Sequence, residues 1–167
     1  MTDNNAEMTA VFLQFSRRKL LEQYRPRLKA GVEPLTEEQI WWRPTDASNS
    51  VGNLILRLNG NVRQWRVDSF NGMEDRRDRP AEFTAQGGMT SAELLDRLGA
   101  TMTEGAEVLG RLTVKNLAGQ YEIQGYYVSG LEAVYQVVEH FGLHHGRIAY
   151  IAKSLVGAEL GNLCAGS

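Results

Sequence analysis

Apolar residues recur three and four positions apart along four long stretches of this chain, and that periodicity points to a packed helical bundle. The first stretch, from about Glu7 to Ala30, places Phe12, Leu13, Leu20, Leu21, Tyr24 and Leu28 on one face, with Pro26 expected to kink it or end it a turn early. The second starts at the N-capping residues Ser48 to Ser50 and carries Val51, Leu54, Ile55, Leu58, Val62 and Trp65 as far as about Phe70. The third opens on the capping box Thr90-Ser91-Ala92-Glu93 and continues with Leu95, Leu98, Met102, Gly105, Leu109 and Leu112. The fourth, about Leu131 to Leu155, is the most apolar. Its Ala133, Val134, Val137, Val138, Phe141, Ile148, Ala152 and Leu155 fill about half the helical wheel, wide enough to touch two neighbours at once. Leu143 and Tyr150 fall outside that arc and suggest a further contact, such as a second subunit.

The connectors carry signals of their own. Thr36-Glu37-Glu38-Gln39 has the pattern of a capping box and predicts one short helical turn, closed by Trp41-Trp42-Arg43-Pro44. Glu74 to Arg79 is a dense mixed-charge run, read as a solvated or internally paired loop. Between Thr113 and Gly130 the residues Tyr121, Ile123, Tyr126, Tyr127 and Val128 favour extended backbone, so a loop with a short strand pair is expected near 113–129. The fold class is therefore all-α, a single four-helix-bundle domain over 1–167. The connectors on either side of the third helix are long enough to cross the bundle, so the helix order need not be simple up-and-down.

Composition narrows the function classes. Eighteen Lys and Arg against twenty Asp and Glu give a net charge of −2, which argues against a dedicated nucleic-acid or membrane-surface binder. No apolar run is long enough to cross a bilayer, and Met1 to Glu7 is polar and acidic, so a cytoplasmic protein is expected. Cys164 is the only cysteine, which excludes a disulfide scaffold within the chain.

All three histidines fall in the fourth stretch. His140 and His144 are four residues apart, about 40° apart on the wheel and one turn apart in height, so both imidazoles can reach one metal ion. The same spacing suits an interior pair with no metal. His145 is rotated about 100° from His144 and belongs to the core or to a subunit contact. The zinc-protease string is absent, because Phe141 stands where its glutamate would be. The second stretch adds a polar line, Asn53, Arg57, Asn61, Gln64 and Asp68, beside its apolar stripe. Such a line fits both a cavity wall between helices and the wet edge of an amphipathic helix. Trp41, Trp42 and Trp65 are read as core and corner packing.

Several of these segments resemble the DinB-like (YfiT-like) metalloenzyme family. The resemblance rests on Leu35 to Pro44, Ser48 to Leu54, Gly60 to Trp65, Arg76 to Phe83 and His140 to Ile148, in family order, and spans about Phe15 to Leu155. It implies a four-helix bundle, commonly a homodimer, holding a divalent nickel, zinc or manganese ion with three histidines. It also implies, for some members, thiol-dependent transferase or isomerase activity or metal-assisted hydrolysis. Carried over by motif, two of the ligands are His140 and His144, and the third position falls on Arg57.

Arginine has no free lone pair and stays protonated, so Arg57 cannot ligate a cation. A unit positive charge about 5 Å from a divalent ion at an effective dielectric near 20 costs roughly 6 to 7 kcal/mol before screening. The expectation is a lost or weakened metal site and, in its place, a polar pocket of Arg57, His140 and His144 beside Asn61 and Gln64. That pocket would receive a small-molecule carboxylate or phosphate, or a carboxylate of the chain itself, with Glu82 and Glu139 as candidates. The alternatives are a closed cleft with Arg57 reaching out to solvent, or a retained metal shell completed by water or Gln64.

Overall fold

In the computed structural model, which describes residues 2–157, the first apolar stretch is one continuous helical rod built from three pieces. Helix α1 (Thr2–Arg18) passes through a π-helical turn (Lys19–Tyr24) into α2 (Arg25–Val32). Pro26, lacking an N–H, sits in the first turn of α2, just after the wider turn in which Arg25 N–H donates to the Leu20 carbonyl. The rod therefore runs on past Pro26 to Val32 rather than ending early.

Thr36 caps the short α3 (Glu37–Trp41) with a complete capping box, and Ser50 does the same for α4 (Val51–Val62) with Asn53. A second π-helical turn (Arg63–Asp68) carries α4 into α5 (Ser69–Asn71). The mixed-charge connector leads to α6 (Arg79–Thr84), then α7 (Ser91–Arg111), α8 (Val114–Ala118), β1 (Gln120–Ile123), β2 (Tyr126–Ser129) and α9 (Gly130–Val156). The two strands pair antiparallel, Gln120 opposite Ser129 and Ile123 opposite Tyr126. Gln124 and Gly125, both at positive φ, form the two-residue turn. The expected strand pair is there, and α8 precedes it as an element the sequence reading did not anticipate.

Four long segments make the bundle. The first packs against α7 and α9, and α4 also packs against α7 and α9. Segments one and two thus face each other across one diagonal, segments three and four across the other, so the connectors 33–50 and 112–129 cross the bundle. The core draws Leu20, Leu28, Val32, Val51, Leu54, Ile55, Leu58, Leu98, Met102, Val137, Phe141 and Ile148 from all four. On α7 the fully buried position is Leu94, with Leu95 only partly covered. Trp41 and Trp65 pack into this core as expected, Trp41 donating from Nε1 to the Met89 carbonyl at 3.1 Å; Trp42, 42% exposed, does not. No described helix is long and apolar enough to cross a membrane.

One buried charge stands apart. Arg66 is fully enclosed, its stem fitted against α7 where a Cβ on Gly105 would come within 3.2 Å of Arg66 Cδ. Nη2 donates to the Val134 carbonyl at 3.3 Å, while Nε and Nη1 have no partner among the described residues, and burial pulls the guanidinium pKa down to about 9. A buried cation with neither counter-ion nor full hydrogen bonding is worse for stability than an apolar side chain of similar shape. Replacing Arg66 with Met should therefore raise the unfolding free energy in urea, by about 1 to 4 kcal/mol. A fall would show that the arginine is satisfied in solution by a group absent from this picture.

Candidate functional site

Helices α4 and α9 pack together and bring Arg57, His140 and His144 within electrostatic reach of one another. The two imidazoles meet edge to face with ring centroids 4.2 Å apart, as one helical turn allows. His144 is buried and His140 half-buried. His140 Nε2 and both ring nitrogens of His144 are shielded and have no hydrogen-bond partner among the described residues. His145 points elsewhere, into the core against the Tyr24 ring at 5.7 Å, with Tyr24 also 5.8 Å from Phe141.

Arg57 takes an arrangement the sequence reading did not foresee. Its guanidinium lies over the Phe83 ring, Cζ 4.3 Å from the centroid, in cation–π geometry. It is half-buried, and no carboxylate among the described residues pairs with it. Glu139 is exposed on α9. Glu82 is taken by Arg77, whose Nη2 and Nε each lie 2.8 Å from a Glu82 carboxylate oxygen, both side chains nearly enclosed. The charged connector is thus internally paired through Arg77, which also donates to Gln64 Oε1 at 3.0 Å and to the Arg57 carbonyl at 3.3 Å.

Other side chains fix α6, which carries Phe83, against α4. Arg43 Nη2 donates to the carbonyls of Phe83 and Ala85, and Asn53 Nδ2 donates to those of Glu82 and Ala85. Gly60 leaves the room the ion pair occupies, since a Cβ there would overlap Glu82 Oε1 and come within 2.6 Å of Arg77 Nε. Of the polar line, Asn53 is therefore spent on capping and clamping. Asn61 donates to Gln136 Oε1 at 3.2 Å and leaves its own Oδ1 unpartnered. Gln64 is the hub between Arg77, Asp75 and Gln124. Arg43, Arg77 and Phe83 were missed as site residues. The one sequence signal for them was the Arg76 to Phe83 string, whose register onto α4 no periodicity reveals.

The electrostatics are one-sided. His140 is held down to about 4, first by burial and then by the positive charges of Arg57, Arg77, Arg79 and Arg147. His144 falls to about 3, through burial, His140 and then Arg57, Arg147 and Arg77. Both imidazoles are neutral at physiological pH. Among the described residues no group of three or more His, Cys, Asp or Glu side chains converges to hold a metal ion, so the donor set does not fit the divalent metal that the resemblance implies. Cys164 lies outside the described residues.

The folded-state pKa of each histidine lies below its unfolded value near 6.5, so the stability each contributes is complete above pH 6.5 and is lost as pH falls toward 4 and then 3. Urea unfolding between pH 7 and pH 4 should show proton uptake on unfolding, to which His140 and His144 contribute about one proton each beside buried His145, and His140→Gln or His144→Gln should each remove about one. An unchanged slope in both variants would place the imidazoles in water.

Comparison with known proteins agrees with this architecture. A conserved protein from Enterococcus faecalis superposes with a TM-score of 0.73 at 15% identity, over 87% of this chain and 97% of that one. The DinB-like protein YjoA from Bacillus subtilis gives 0.67 at 16% identity over 89% and 96%. A DinB-like protein from Bacillus cereus gives 0.68 at 14% identity over 90% and 94%. These likenesses establish the DinB-like fold. No curated protein matches. A family model described as a protein of unknown function, DUF1572, matches residues 7–166, and the chain belongs to that family.

Proposed function

We propose that the cleft between α4 and α9 receives a small anionic ligand, a carboxylate or phosphate group, in place of the divalent metal implied by the DinB-like resemblance. The observation that carries this reading is the Arg57 guanidinium seated over the Phe83 ring, near two imidazoles whose shielded nitrogens have no hydrogen-bond partner among the described residues, while Glu82 is spent on Arg77. An incoming anion would meet Arg57 held over Phe83 and two neutral imidazoles whose nitrogens have no partner among the described residues. Protonation of His140 on binding would add a second charge-assisted hydrogen bond. A homodimer belongs to the same reading, with Leu143 and Tyr150, both exposed on α9, as the supporting surface.

A second reading is favoured by one observation, the orphaned nitrogens of His140 and His144, which are what a metal-ligating pair looks like without its ion. In that reading the chain is a metal-dependent hydrolase or thiol-dependent transferase. Calorimetric titration separates the two. Inorganic phosphate or acetate should bind the wild-type protein, and Arg57→Met should weaken binding by about tenfold or more. Zinc and nickel should bind wild type weakly and Arg57→His far more tightly. Tight stoichiometric zinc binding by the wild type, lost in His140→Ala, would establish the metal reading.

A further inference from the structure

The β1–β2 turn uses a residue that its backbone does not favour. Its two central positions, Gln124 and Gly125, lie at φ 56° and 77°, the left-handed pair of a two-residue hairpin turn. Glycine adopts that conformation freely, and asparagine or aspartate is the usual side chain where glycine is not used. Gln124 is the one non-glycine residue at positive φ among the described residues. A strained residue of this kind persists where its surroundings hold it.

The side chain shows what holds it. Turned so that its oxygen meets the N–H groups around it, the Gln124 amide accepts from Trp65 Nε1 at 3.0 Å and from Arg77 Nη1 at 3.2 Å, and it also touches Gln64. That contact completes Arg77. A guanidinium carries five N–H donors. Here Nε and one Nη2 hydrogen go to Glu82, the other Nη2 hydrogen to the Arg57 carbonyl, and one Nη1 hydrogen to Gln64. Gln124 takes the fifth, on a side chain only 6% exposed. The indole N–H of Trp65, in the core, is satisfied by the same oxygen.

Reach decides which residue can do this. An asparagine would suit the turn better, yet its amide ends one carbon shorter and falls short of both donors. The strands are anchored separately, by Ile123 in the core and by the Tyr121 ring against Phe70. We infer that Gln124 is a positioning residue, whose strained turn is kept because its amide fixes Arg77 and, through Arg77, the Glu82 pair and the wall beside Arg57. Its functional meaning rests on the anion reading of that site.

Gln124→Asn in the full chain separates latch from turn. The expected result is an unchanged or raised melting temperature, Trp65 indole N–H exchange faster by about tenfold or more, and inorganic phosphate bound about threefold more weakly. Gln124→Glu, which keeps the reach, should leave Trp65 exchange slow. In the wild type, the Trp65 indole should exchange about tenfold or more slowly than that of Trp42, which is 42% exposed, a readout that needs no variant. Trp65 exchange and phosphate affinity unchanged in Gln124→Asn would overturn the inference and leave Gln124 a turn residue. Equal exchange at Trp65 and Trp42 in the wild type would overturn it too. Phosphate that fails to bind the wild type would count against the anion reading alone, because indole exchange needs no ligand.

Discussion

The contact on which the rest of the site depends is the enclosed ion pair of Arg77 and Glu82. Both partners come from a segment without long-range periodicity of its own, yet together they are seated on α4 over Gly60. Taking one partner away would leave an uncompensated charge in a nearly closed space, a loss of about 3 to 5 kcal/mol. Arg77 satisfies both Glu82 oxygens and in the same position holds Gln64 and the Arg57 carbonyl. The connector is thereby turned from a solvated loop into one wall of the cleft. Because α6 follows directly, Phe83 is brought under the Arg57 guanidinium, which keeps that cation in the cleft when it would otherwise extend to water.

That seating explains why charge of one sign accumulates around the imidazoles. Arg57 comes from α4, Arg77 and Arg79 from the connector and the start of α6, and Arg147 from α9 itself. The nearby acid, Glu82, is consumed structurally by Arg77. Four guanidinium groups act on His140 and three of them on His144, with Arg77 bonded to Glu82, and this excess of positive charge is what supports the proposal of an anionic ligand.

Much of the architecture was legible from residue order alone, because helix periodicity and capping boxes are local signals. Thr36, Ser50 and Thr90 all cap as their neighbours at the third helical position imply, and the stripes on α4 and α9 enter the core where expected. The strand pair was foreshadowed by its aromatic and β-branched residues. Less was legible where geometry depends on distant partners. Pro26 predicts a kink or an early end because the π-helical turn before it, which reroutes the missing hydrogen bond, has no sequence signature. On α7 Leu94 is buried and Leu95 only partly covered, a shift of one residue that a stripe read at three-and-four spacing cannot resolve. The partner of Arg57 was sought among Glu82 and Glu139, whereas the ring of Phe83 receives it. Only the fold shows that Glu82 is already engaged.

The sign of the charge that the cleft accepts is the central claim, and histidine-resolved NMR tests it most directly. With ring carbons labelled, addition of inorganic phosphate should raise the pKa of His140 from about 4 toward neutrality, while zinc at the same concentration leaves the His140 and His144 signals in place. If zinc shifts both resonances together at stoichiometric amounts and phosphate moves neither, the cleft is a metal centre and the account given for Arg57 is wrong.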